Sequence, residues 1–188
     1  MKGKITLFFT ALFFTALCFG LTGCIAPPKG LEKERFSINS YREISPQDLT
    51  CHCKTVRLGG KIVNTTVLAN QTKIEVLSLP VSSISGKPFV ELQSDGRFIV
   101  YFKGFVEPEN LKERYITVGG QLAGTEKGKI EQADYTYPVV QADKYRIWTL
   151  STIYEYPTDD WDEDDDWGFF RWRHRPWYVQ PEIHYYLN

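Results

Sequence analysis

The chain has 188 residues, 43% hydrophobic and 24% charged, with 22 Lys and Arg against 23 Asp and Glu. That length holds one modest domain once any leader is removed, and the composition is that of an ordinary folded protein. A net charge of -1 gives nucleic acid no electrostatic hold, so that class of partner is excluded.

The N-terminus reads as an export leader over residues 1–23. Lys2 and Lys4 supply a positive start, an uncharged run rich in Phe, Leu and Ala follows, and the run closes on Leu21-Thr22-Gly23-Cys24. That tetrapeptide resembles the lipobox of bacterial lipoproteins. The resemblance implies cleavage before Cys24, diacylglycerol on its sulfur and an acylated new N-terminus, palmitate being the expected acyl type. Two or more acyl chains hold a protein on a bilayer where one gives marginal binding. The competing reading is an uncleaved membrane helix, because residues 5–26 are free of charge and long enough to span. Four threonines and two glycines in that run weaken it as a span. Ile25 stands where, in lipoprotein sorting, an aspartate favours retention in the inner membrane; its presence implies the outer membrane.

Residues 24–53 read as a lipid-anchored tether. Pro27, Pro28 and Gly30 discourage regular structure, and Glu32-Lys33-Glu34-Arg35 suits a solvated segment. Residues 54–150 read as the folded domain, in strands at 56–65, 72–79, 97–102, 115–124 and 145–150. Turn-forming residues separate them at 69–71, 94–96 and 124–128. Lys73-Ile74-Glu75-Val76 alternates as a sheet with one wet face does. The only helical candidate is a turn or two at 108–114.

The chain echoes itself. Val56-Arg57-Leu58-Gly59-Gly60-Lys61-Ile62-Val63-Asn64-Thr65 returns sixty residues later as Ile116-Thr117-Val118-Gly119-Gly120-Gln121-Leu122-Ala123-Gly124-Thr125. Paired glycines within a strand mark a bulge, a bend or close backbone approach, and bending is what closes a small barrel. The expected fold is therefore all-β: a small, OB-like, closed or partly closed barrel of about five to six strands, with a small helix before the fourth. An open β-sandwich is the alternative. Residues 151–188 are expected to form an irregular acidic and aromatic tail.

Four stretches in this order and spacing resemble the Slp family of starvation-inducible outer-membrane lipoproteins. They are Arg57-Leu58-Gly59-Gly60-Lys61-Ile62-Val63, Glu75-Val76-Leu77-Ser78-Leu79-Pro80, Gly104-Phe105-Val106-Glu107-Pro108 and Arg146-Ile147-Trp148. The resemblance covers chiefly residues 56–150. It implies outer-membrane residence and a link to stress or stationary phase, and it brings no catalytic residues.

Three clusters carry chemical potential. Cys51-His52-Cys53 has zinc-ligand types, but on a strand its sulfurs and imidazole point to opposite faces. A disulfide between Cys51 and Cys53, with a redox role, is the second reading, strained because Cα atoms two apart on a strand sit near the ~6.8 Å limit for such bonds. Structural or incidental cysteines are the third. The acid run from Asp159 to Asp166 lacks the glycine and distal glutamate of a calcium loop and reads as a solvated face. Last, Trp167, Trp172 and Trp177 are interleaved with Arg171 and Arg173, a mixture that suits a membrane interface or a partner surface. The alternative is a segment that wraps back over the barrel. No nucleophile elbow, phosphate loop or dinucleotide fingerprint occurs, so neither an enzyme nor a cofactor or metal is expected.

The reading is an outer-membrane lipoprotein facing the periplasm. It acts as a structural or interaction protein whose partners are the membrane, through lipid on Cys24, and an envelope protein or lipid. The rival is a periplasmic binding module for an oligosaccharide, peptide or lipid.

Overall fold

The computed structural model describes residues 26–156 and 180–188. Five strands close into a barrel: β1 (Thr55–Val67), β2 (Gln71–Leu79), β3 (Gly96–Lys103), β4 (Tyr115–Ile130) and β5 (Ala133–Trp148), in the order β1-β2-β3-β5-β4. Every neighbouring pair is antiparallel except β3 and β5, which run parallel through Ile99↔Val139 and Val100↔Val140. The sandwich alternative is thereby overturned, because β1 pairs with both β2 and β4 and the ring has no free edge.

Alternation builds the interior. Val56, Leu58 and Ile62 of β1 point inward with Ile74 and Val76, Phe98 and Val100, Ile116 and Val118, and Val140, all nearly or fully buried. The echoed strands are neighbours: Gly59 lies opposite Thr117, and Gly119 opposite Arg57. At this seam the two glycines of each pair serve different ends. A Cβ on Gly60 would overlap the Leu77 carbonyl of β2, and one on Gly120 the Gln141 carbonyl of β5, so these two positions let the strands flanking the seam approach it. Gly59 and Gly119 lie on the outer side. A Cβ there would meet Val81 at 2.7 Å in the first case and the Phe36 ring in the second, so these positions admit the covering segments.

A short helix at Pro108–Leu111 precedes β4 and buries Leu111. Helix α1 (Pro46–Cys51) starts on a capping box in which the Ser45 and Asp48 side chains satisfy each other's backbone N–H groups, the arrangement that fixes helix N-termini. Leu49 of this helix packs on the core.

Three expectations change. Residues 24–53 are not a free tether over their described part. Leu31 and Ile38 are buried at 1% and 5% exposure, and Ile38 bridges to Val56. The charges at 32–35 turn outward on a single 3-10 turn while the flanking apolar residues turn in. Second, the expected turn at 124–128 lies inside β4. Gly124, at φ +96, accompanies a register shift between Leu122 and Thr125, so the strand bends and continues, as bulged strands do. The hairpin turns at Glu131 instead, and β5 starts twelve residues before the expected strand at 145. Third, residues 151–188 are not wholly irregular. β6 (Leu150–Glu155) and β7 (Glu182–Leu187) form a two-stranded sheet, and Leu187 is buried with Leu79, Tyr115 and Trp148.

Candidate functional site: a tyrosine-lined cleft on the barrel wall

The bend in β4 carries the β4–β5 hairpin back over the outer face of β2 and β3. Beneath it, Ile99, Tyr137 and Val139 form a small second core, with Tyr101, Ile130 and Tyr135 packed around it. Gly128 permits the approach, since a Cβ there would come within 3.0 Å of the Tyr137 ring. A hollow of about 180 Å³ remains beside this contact, lined by Asn64, Thr66, Lys73, Glu75, Glu126 and Tyr137 among others.

The register of four strands places its polar groups. Lys73 and Glu75 point outward from β2, and Arg97 and Tyr101 from β3. Arg97 Nη1 donates to Glu75 Oε1 at 2.8 Å, and the Tyr137 hydroxyl donates to the same oxygen at 3.3 Å. Across the hollow, Glu126 pairs with Lys73 and accepts the Tyr101 hydroxyl at 2.7 Å. Tyr135 links the cleft to the N-terminal segment: its hydroxyl accepts the Arg97 backbone N–H at 3.1 Å and bonds the Tyr41 hydroxyl at 3.1 Å. Tyr135 and Tyr137 meet edge to face at 4.7 Å.

The electrostatics follow from these contacts. Burial and the neighbouring Glu126 push the Tyr101 hydroxyl up to about 12. Burial raises Glu126 too, but hydrogen bonds from Lys73 and Tyr101 outweigh it and hold the carboxyl below its ordinary value. Burial, then Glu75, pushes Tyr137 up. The groups present are neutral phenols and paired charges. Their chemistry is hydrogen bonding and ring stacking, the means by which proteins hold polar ligands of low charge.

The cysteine cluster has a different geometry from the one expected. Cys51 ends α1 and His52 takes a left-handed conformation at φ 50. The chain therefore doubles back, and Cys51 and Cys53 are joined with their Cα atoms 5.1 Å apart. A strand would have held them near the limit of bonding. The His52 ring sits over Gly124 and its carbonyl accepts Gln121 Nε2 at 2.5 Å. Among the described residues, no three His, Cys, Asp or Glu side chains are placed to hold a metal. Cys24, the acid run and the tail residues Trp167, Trp172, Trp177, Arg171 and Arg173 lie outside the described residues.

Sequence reasoning missed two features. The cleft is one, because Lys73 and Glu126 are fifty-three residues apart and only the strand order joins them. Arg57 is the other. It is 1% exposed and donates to the carbonyls of Leu31 at 3.2 Å and Ser82 at 3.3 Å. It thereby ties the N-terminal segment and the β2–β3 loop to the seam. An arginine within an otherwise apolar strand was the available signal.

The profile of the outer membrane lipoprotein Slp family matches residues 21–183. An uncharacterized protein of Haemophilus influenzae is 95% identical over the full length of both chains. The outer membrane protein Slp of Escherichia coli is 24% identical over 92% of this chain and 89% of its own. The Escherichia coli lipoprotein YeaY is 30% identical over 75% of each. No solved structure matches. With the family profile covering all five barrel strands, the chain belongs to the Slp family of outer membrane lipoproteins.

Proposed function

We propose that this outer-membrane lipoprotein is held by lipid on Cys24, faces the periplasm and works as an interaction module of the cell envelope, without catalysis. The observation that carries the interaction reading is the cleft: a hollow over β2 and β3, overhung by the β4–β5 hairpin, walled by Tyr137 and paired charges, with Tyr101 and Tyr135 packed beside it. Strand order 1-2-3-5-4, the parallel β3–β5 pair and the short helix before β4 support an OB-like barrel. OB-folds use the same strand face and the same hairpin for ligands. The Cys51–Cys53 bond suits the oxidising periplasm and fixes the chain between α1 and β1. The tail residues Trp167, Trp172, Trp177, Arg171 and Arg173 supply a second envelope contact, and the stress or stationary-phase link belongs to the same reading.

Anchoring is tested by Cys24→Ser in the full chain. The variant is expected to leave the outer-membrane fraction, either uncleaved or soluble, and to lack acyl groups by mass spectrometry. Normal amounts of the variant in that fraction would refute the anchor. A second reading, a binding module for an oligosaccharide or peptide, is favoured by the same tyrosines, since aromatic faces and hydroxyls suit sugar rings and peptide backbones.

A further inference from the structure

Three observations converge on one end of the barrel. The first is where the chain enters. Pro27 and Pro28 pack against Gly86 in the β2–β3 loop, close enough that a Cβ on Gly86 would lie 3.1 Å from Pro28. Three peptide units separate Cys24 from Pro27, so covalent geometry alone keeps their two Cα atoms within roughly 11 Å of each other.

The second is what this loop exposes. Residues 80–92 are held firmly: Val81 bridges to Pro88, Phe89 N donates to the Pro80 carbonyl at 2.9 Å, and Thr117 Oγ1 donates to the Gly86 carbonyl at 2.6 Å. Yet Ile84 is 65%, Phe89 48% and Leu92 51% exposed. Large apolar side chains presented on an ordered loop mark a contact surface. The third is the adjoining hollow of about 500 Å³ between this loop and β7, walled by Phe89, Val90, Leu92, Tyr185 and Tyr186, with Glu91 its only carboxylate among the described residues.

From these we infer that the β2–β3 loop and the adjoining end of β7 form a membrane-seating face that lies on the phospholipid surface beside the acylated Cys24. The inference rests on the anchor proposed above and adds an orientation to it. Acyl chains fixed so near the loop hold Ile84, Phe89 and Leu92 at the height of the headgroups, where burying apolar area is favourable. Lys29, exposed and next to Pro28, carries the sign that suits lipid phosphates, while the Lys87 ammonium is held by the Leu187 carbonyl and the Trp148 ring. β2 and β4 both run antiparallel to β1, so the loop after β2 and the hairpin after β4 leave the barrel at the same end, and the β1–β2 turn at 68–70 lies at the other end of β2.

The experiment uses the full lipoprotein purified from membranes, with native thiols occupied by acyl groups or the disulfide. Ile84→Cys, Phe89→Cys and, as a control at the β1–β2 turn, Ala69→Cys are each labelled with an environment-sensitive dye. Each is placed in phosphatidylethanolamine–phosphatidylglycerol vesicles carrying a doxyl-lipid quencher. Quenching several-fold stronger at 84 and 89 than at 69 is expected. Equal quenching at the three sites, with mass spectrometry showing acylated Cys24, would overturn the seating face and leave the anchor intact. An unmodified Cys24 would overturn both. Dye shielded at 84 and 89 but unquenched by lipid, with cross-linking between copies, would assign the face to a second copy of this chain and overturn the lipid.

Discussion

The β1–β4 seam and the β2–β3 cleft are both parts of one barrel wall, and they are built on opposite principles. Along the seam, side chains are absent: Gly60 and Gly120 admit the backbones of the flanking strands β2 and β5 so closely that a single methyl would strike a carbonyl. In the cleft, side chains are large, polar and mutually satisfied, in two sets that face each other across the hollow: Lys73 and Tyr101 on Glu126, and Arg97 and Tyr137 on Glu75. Steric exclusion cannot be relaxed without moving a strand, whereas a partly exposed ion pair exchanges its partner for water at little cost. The seam therefore holds the fold and the cleft is free to serve recognition.

The contrast is broken most severely at the seam. Gly60→Ala and Gly120→Ala are expected to lose ~3–5 kcal/mol, the range reached when backbone must shift. Gly119→Ala should lose less, ~1–3 kcal/mol, because the Phe36 ring can give way as overpacked side chains do, and Gly59→Ala should fall between, since its Cβ would meet both the Val81 side chain at 2.7 Å and the Ile116 backbone oxygen at 2.9 Å. Thermal melting of the four full-length variants ranks them. If Gly60→Ala melts at or above Gly119→Ala, the inner glycines do not close the barrel.

The cleft should respond weakly in stability and clearly in pH. Glu126→Gln is expected to change stability by less than ~1 kcal/mol while hydrogen exchange accelerates in the hairpin at 124–133. Glu126 has a depressed pKa when folded, so its contribution is present above the ordinary carboxylate range and is lost as pH falls through it. Tyr101 has the reverse sign. Its hydroxyl is raised from 10.0 to about 12, so its contribution is complete below pH 10 and disappears as pH climbs towards 12. Hairpin exchange should therefore rise at both extremes, and Glu126→Gln should flatten the acid limb. An acid limb unchanged in that variant would show that the ion pair does not hold the hairpin down.

Much of the seam was legible in the sequence and almost none of the cleft. The echo of Gly59-Gly60 in Gly119-Gly120 pointed to bent strands, and the alternation of Lys73-Ile74-Glu75-Val76 marked β2. The limits of β4 and β5 were obscured by chemistry that usually ends strands. Gly124 and Gly128 read as a turn, while Asp134, Pro138 and Asp143 masked a strand whose first part overhangs the barrel. Leu31 and Ile38 were hidden among charges, since single buried residues in an irregular segment leave no period to detect. The cleft depends on pairing between distant strands, and residues such as Tyr101 and Glu126 carry no local mark of it.

The division of labour is tested most directly by site-specific photo-crosslinking in intact cells. A photoreactive residue is placed at Lys73 in the cleft or, for comparison, at Lys61, an exposed β1 position next to Gly60. Discrete adducts from position 73, diminished by Tyr101→Ala and absent from position 61, are the predicted result. Identical adduct patterns from both positions, or none from position 73 with the protein correctly localised, would contradict the assignment of recognition to the cleft.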